Sequence, residues 1–353
     1  MTTASLKSEE EASFFAEDRD QPVPPPNVVA YNELRSCADL FRMHANGKLE
    51  IQPDFQREVV WKHEEQSRFI DSLVKQLPIP SMCFSLDYKS QHWKVIDGLQ
   101  RMHTITSFLG SADWMIGNVD DIDPQLRGRK NNELRSGTPE QRAIYSSVED
   151  LTIPITVIRC SYAEPSHLRY LFMIFNRLNS GGVRLNNQEI RNCIYSGPFN
   201  DLLKGFDKED RNWRAVSKRV WGKMDRFRSV ELLLRALAFA ESRDKYEGNL
   251  AGFLNDYMHA KSKLAEGELK SVKSELTTMA RAANLVLGEL GGGKRSLTIV
   301  ESVLVGLLAN RSRLAGFDTT RDQKLIFLAR GFSQRPSYSS GARYALASVV
   351  FDS

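Results

Sequence analysis

Residues 92–109, HWKVIDGLQRMHTITSFL, bring groups suited to phosphate into one short run. Trp93 to Ile96 has strand character, Asp97-Gly98 turns the chain, and Met102, Ile105, Phe108 and Leu109 recur at helical spacing. The unit reads as strand, glycine turn and helix, with Asp97, Gln100 and Arg101 at the helix start. A helix N-terminus offers backbone N–H groups and a partial positive charge. Gly98 lets a ligand approach the backbone, and Arg101 adds a planar fork that fits phosphate oxygens. The plain alternative is that Asp97 caps the helix and Arg101 pairs with a nearby carboxylate.

A second polar concentration lies at 175–191, FNRLNSGGVRLNNQEIR. Asn176, Arg177, Asn179 and Ser180 precede Gly181-Gly182, and a loop of this composition could close over a polar ligand. The same residues also serve a helix C-cap followed by a helix N-cap, with Asn186 and Glu189 spaced as a capping box. Gln56 and Arg57 sit in an extended stretch ending at Trp61, where Arg57 is either a second guanidinium for phosphate or half of a surface ion pair. Residues 204–228 carry nine Lys or Arg, among them Arg214, Lys218, Arg219 and Lys223, against four acids, with Trp213, Trp221 and Phe227 interleaved. Such a mixture can track a nucleic-acid backbone and stack on bases, or form a solvated loop with aromatic anchors.

The elements that must position these residues follow from pattern. Residues 1–27 read as a disordered leader, acidic and ending in Pro-rich VPPP. A helix is expected over 33–45, an extended segment over 49–61, an amphipathic helix over 64–77, strands at 82–86 and 93–96, and a helix from 101 to 109. Residues 112–150 read as a polar insertion with one helix, and Ile153–Ile158 as a β-branched strand. Beyond 165 the pattern is helical, with helices expected at 167–178, 187–195, 229–242, 249–262, 266–288, 297–309, 321–331 and 341–349. Strands early and helices late give an α+β chain: a small α/β domain over 28–165, then a mostly helical domain over 166–353.

Composition narrows the class. The 353 residues are 41% hydrophobic and 26% charged with a net charge of +4, as in a soluble globular protein, and no apolar run reaches the ~20 residues that span a bilayer. Neither membrane association nor secretion is expected. The four cysteines form no CxxC pair, which fits a reducing, cytoplasmic setting.

Taken in order, PDFQREVVW (53–61), SLVKQLPIP (72–80), VIDGLQR (95–101), FNRLNSGGVRLNNQEIR (175–191), MDRFRSVELLLRALAF (224–239) and YEGNL…FLNDYM (246–258) resemble the N-terminal domain of GmrSD-type modification-dependent restriction systems. That domain is also described as ParB-like. The resemblance implies a ParB/sulfiredoxin-like α/β fold with helices behind it, in a bacterial defence protein. It also implies a nucleoside triphosphate, with Mg²⁺ or another divalent cation, at an Asp-Gly-Gln-Gln-Arg motif. Here the motif is Asp97-Gly98-Leu99-Gln100-Arg101, so Leu99 replaces the first glutamine and puts hydrolysis in question.

Carried over, the catalytic candidates are Asp97, Gln100, Arg101, Gln56 and Arg57, with Asp97 also the metal ligand. Gly98, Arg101, Asn176, Arg177 and Asn179 would border the cofactor, while the basic stretch, from its composition rather than the resemblance, offers Arg214, Lys218, Arg219 and Lys223 to DNA. No His-Asn-His nuclease pattern follows, since the last histidine is His259. Cleavage would then fall to the ParB-like domain or to a separate nuclease subunit, and a homo-oligomer is compatible. Two rival expectations remain: a ParB-like DNA nickase working without nucleotide, and a non-catalytic DNA-binding or scaffold protein.

Overall fold

The computed structural model describes residues 25–51, 61–178, 185–222, 226–289 and 296–314. These form two compact units, one spanning Pro22–Leu185 and the other built from Asn186 onward. The chain is α+β: a mixed five-stranded sheet belongs to the first unit and the second is helical.

In the first unit the sheet order is β1 (Val29–Ser36), β5 (Thr152–Cys160), β3 (Met82–Asp87), β4 (Trp93–Asp97), β2 (Leu49–Glu50). β3 is buried along its whole length, as a central strand rich in apolar residues should be. It runs parallel to β5 and antiparallel to β4, while β1 closes one edge antiparallel to β5.

One face of the sheet presents Phe84, Val95, Ile155 and Val157 to helices α1 (Cys37–Ala45), α2 (His63–Val74), α3 (Leu99–Gly110) and, beyond a short α4 (Asn131–Ser136), α5 (Pro139–Asp150). Leu40, Ile70, Leu73, Met102, Ile105, Phe108 and Val148 fill this core, each buried side chain worth roughly 1.5–3 kcal/mol. The alternate strand residues Ser85, Lys94, Ile96 and Ile158 face the other way. Helix α6 (Pro165–Leu178) packs against β4. The unit boundary therefore falls later than the expected 165/166, because α6 belongs with the sheet.

Three expectations are corrected. The helix expected over 33–45 begins only at Cys37, because Ser36 ends β1 and caps α1, accepting from the Asp39 N–H at 3.1 Å. Leu34, counted toward the helical stripe, is a strand residue 68% exposed. The insertion 112–150 holds two helices, the second started by Thr138 with Pro139 at the first position and a capping box to Gln141. The basic stretch 204–228 is mostly helical rather than a loop.

The second unit runs α7 (Asn187–Ile194), α8 (Pro198–Glu209), α9 (Arg211–Trp221), α10 (Arg228–Ser242), α11 (Leu250–Lys261), α12 (Glu266–Glu289), α13 (Leu297–Ala309) and α14 (Arg311–Leu314) among the described residues. Asp210 separates α8 from α9 by accepting the Trp213 N–H at 2.8 Å. α10 is buried almost throughout and packs on α8, α11 and α13. The helices expected at 321–331 and 341–349 lie outside the described residues.

Candidate functional site

The strand–turn–helix at 93–110 is present, and a β-bulge decides which way its acid faces. Phe84 registers with Val95 on the core face, but Cys83 registers with Asp97 rather than Ile96. Two residues of β4 thus oppose one of β3. Without the bulge, strict alternation would send Asp97 to the core side with Val95. With it, Asp97 registers with Cys83 on the opposite face, where its side chain is 45% exposed. Cys83 senses the neighbour: burial first, then the Asp97 carboxylate, push its thiol up to about 12.

Gly98 follows with φ +94°, and a Cβ there would lie 2.6 Å from Met82 Cγ. Only glycine meets both demands, the left-handed backbone and the close packing on β3. As N-cap of α3 it has no side chain to offer, and the first bond of the helix runs from the Met102 N–H to the Gly98 carbonyl. The turn therefore sets a half-exposed carboxylate beside a helix N-terminus that no side chain among the described residues caps.

Asp97 is consequently not the helix cap weighed in the sequence. It is the last residue of β4 and pairs with Arg101, Nη2 to Oδ2 3.0 Å. Arg101 also donates to the Pro80 carbonyl and, at 3.4 Å, to that of Ser81. Its side chain is only 14% exposed, and burial lowers its pKa against the pull of Asp97. Arg101 straps the Pro80–Ser81 segment to the turn and orients Asp97.

Gln100 is likewise engaged: its Oε1 accepts the Trp61 N–H at 3.1 Å, holding the chain where it leaves residues 52–60. Leu99 is buried and belongs to the hydrophobic core. The residue that departs from the family motif therefore packs inward, away from the face that carries Asp97.

The remaining candidates separate. Gln56, Arg57, Asn179 and Lys223 lie outside the described residues. Asn176 and Arg177 end α6, the second of them exposed, and among the described residues neither hydrogen-bonds to the 97–101 turn. In the second unit, Asn186 and Glu189 form the expected capping box. Glu189 also holds Arg226 through two contacts of 3.1 and 2.7 Å. Arg191 is buried against Glu231 at 3.0 Å, and Arg235 grips Glu301 at 2.9 and 3.0 Å. The stretches 185–191 and 226–239 thus meet as a packed polar network.

On α9, Arg211, Arg214 and Lys218 are exposed at i, i+3 and i+7, while Trp213 and Val216 are buried. Arg219 instead donates to Asn284 Oδ1 of α12 at 2.8 Å. Trp213 anchors the helix and its indole N–H donates to Asp207 at 2.7 Å.

For a metal, no three His, Cys, Asp or Glu side chains among the described residues group closely enough to hold an ion. The single carboxylate of Asp97 is compatible with Mg²⁺ only alongside ligands from a phosphate group and water, since Mg²⁺ commonly takes one or two protein carboxylates. No described helix is long and apolar enough to cross a membrane. Sequence reasoning missed the bulge and the carbonyls that Arg101 grips; the LPIP run at 77–80 was the available signal for the latter.

No curated protein matches the chain. Residues 37–196 match the family model described as GmrSD restriction endonuclease, N-terminal domain. The match spans the strand–bulge–turn–helix unit, α6 and the capped α7, and it identifies this stretch as a GmrSD-type N-terminal domain, the mark of a restriction or defence-type protein.

Proposed function

We propose that the Asp97–Gly98 turn binds the phosphate chain of a nucleoside triphosphate, and that this binding is coupled to DNA. The observation that supports it is the bulge, which turns the half-exposed Asp97 away from the helical core and beside the start of α3, where no side chain among the described residues caps the helix. The α3 N-terminus attracts the terminal phosphates through its N–H groups and dipole. Asp97 holds the divalent cation, which when bound neutralises phosphate charge. Arg101 acts as a positioning residue for Asp97, since its guanidinium is spent on Pro80, Ser81 and Asp97. Gln100 completes the candidate catalytic set with Gln56 and Arg57, and Asn176, Arg177 and Asn179 are proposed as further contacts to the nucleotide.

The DNA contact is assigned to α9, where Arg211, Arg214 and Lys218 make a solvated basic stripe on a helix anchored by Trp213. Phosphates spaced along a duplex attract such a stripe without reading sequence. Any cleavage belongs to this chain or to a partner nuclease.

Phosphate release from ATP, GTP, CTP and UTP with Mg²⁺, with and without DNA, tests the reading. Turnover by the wild type that falls at least a hundredfold in Asp97→Asn supports it. Equal turnover in the two proteins places the chemistry elsewhere.

A further inference from the structure

The register of the sheet carries the site beyond the turn. Asp97 pairs with Cys83, Cys83 with Thr156, and Thr156 with Asn32. The four residues form one row across β4, β3, β5 and β1, on the face turned away from the helical core. Three strand spacings make the row roughly 14 Å long, about the reach of an extended nucleoside triphosphate.

Cys83 is buried, and the polar side chains that reach solvent along this line are Asp97, Ser81, Thr156 and Asn32. The Thr156 hydroxyl donates to Asn32 Oδ1 at 2.9 Å. Ser81, exposed at the start of β3, puts its hydroxyl 3.2 Å from that of Thr156 and 3.1 Å from the Met82 carbonyl. The Ser81 hydroxyl has one proton, which the Met82 carbonyl and the Thr156 hydroxyl compete for. The Ser81 carbonyl is in turn gripped by Arg101, which pairs with Asp97. One chain of contacts therefore runs from the acid at the turn to an exposed amide on the edge strand. With Oδ1 occupied, Asn32 presents its two N–H donors outward. Neither Thr156 nor Asn32 is required by the core, which Ile155 and Val157 fill from the other face.

We propose that this row is the nucleoside-recognising half of the phosphate site. The triphosphate lies at Asp97–Gly98, the ribose hydroxyls lie over Ser81 and Thr156, and the donors of Asn32 meet an acceptor on the base. This rests on the reading that the turn takes triphosphate, and it names the residues that distinguish a nucleotide from a bare phosphate chain.

The test compares inorganic tripolyphosphate with ATP, GTP, CTP and UTP, each with Mg²⁺, by calorimetric titration of the full chain. Asn32→Ala/Thr156→Val keeps a β-branched residue in the strand and removes the hydroxyl and amide. Losing one or two neutral hydrogen bonds should weaken the best nucleotide roughly five- to tenfold. It should also level the four nucleotides and leave tripolyphosphate affinity unchanged. Asn32→Ala alone, at an exposed position, serves if the double variant melts early.

Unchanged nucleotide affinity and ranking in the variants overturns the inference and leaves the phosphate site standing. A parallel loss for tripolyphosphate also overturns it, since the row would then support the phosphates themselves. A wild type that binds neither probe overturns both readings.

Discussion

Replacing Leu99 by glutamine, the residue implied by the family motif, separates two explanations of that position. In the structure Leu99 is 9% exposed and packs into the core with Met102 and Ile105. Leu99→Gln removes an apolar side chain whose burial is worth roughly 1.5–3 kcal/mol. It also buries an amide whose unmet hydrogen bonds cost about 1–3 kcal/mol. Partial escape of the amide toward solvent trims the sum, leaving a loss of about 2–4 kcal/mol.

For a unit of this size that lowers the melting temperature by roughly 5–15 °C. Leu99→Met, which conserves volume, should cost less than about 1.5 kcal/mol. Thermal and urea unfolding of the three proteins measure the differences, and phosphate release is followed alongside. The expected result is a destabilised Leu99→Gln protein with no gain in turnover. Neutral stability together with faster nucleotide hydrolysis would put side chain 99 at the ligand and refute its assignment to the core.

Gly98→Ala should destabilise by about 2–4 kcal/mol, because φ +94° is strained for alanine and the new Cβ meets Met82 Cγ at 2.6 Å; urea unfolding reads it, with Met82→Ala added to relieve the clash but not the strain. Glu231→Gln should cost roughly 3 kcal/mol, since Arg191, 1% exposed, loses the carboxylate held at 3.0 Å. A urea midpoint unchanged from wild type would contradict that. Arg214→Glu/Lys218→Glu should weaken binding to any DNA duplex and reduce the salt slope of log K by about one per lost phosphate contact, read by fluorescence anisotropy across salt concentrations. An unaltered slope would remove α9 from the DNA contact.

The fold was legible where periodicity is strong. The helix at 63–74 buries Phe69, Ile70 and Leu73 as their helical spacing nominates, though it stops at Val74 and leaves Leu77, expected on the same face, 47% exposed, and the strand at 152–160 buries the alternating Ile153, Ile155 and Val157. It failed where a capping residue outvotes the apolar pattern: Ser36 makes Leu34 a strand residue although Leu34, Cys37 and Leu40 share helical spacing.

The candidate turn was legible too, since Asp97-Gly98 between an apolar run and a helical stripe is local information. What that information lacked was the face on which Asp97 lies. The bulge arises from pairing with β3, and the row to Asn32 joins residues far apart in the chain, so neither leaves a mark in local spacing. The engagement of Arg101 with the Pro80 and Ser81 carbonyls is tertiary in the same sense. An arginine beside a turn looks like a phosphate clamp until its partners are known.

The most direct test of the Asp97–Gly98 site is a calorimetric titration of the full chain with the four nucleoside triphosphates, with and without Mg²⁺, in the wild type and in Asp97→Asn. That substitution keeps the shape of the side chain and removes its charge. Mg²⁺-dependent binding by the wild type, lost or at least tenfold weaker in Asp97→Asn while both proteins melt alike, is the predicted result. Absence of binding in the wild type, or equal Mg²⁺-dependent binding in both, would contradict it.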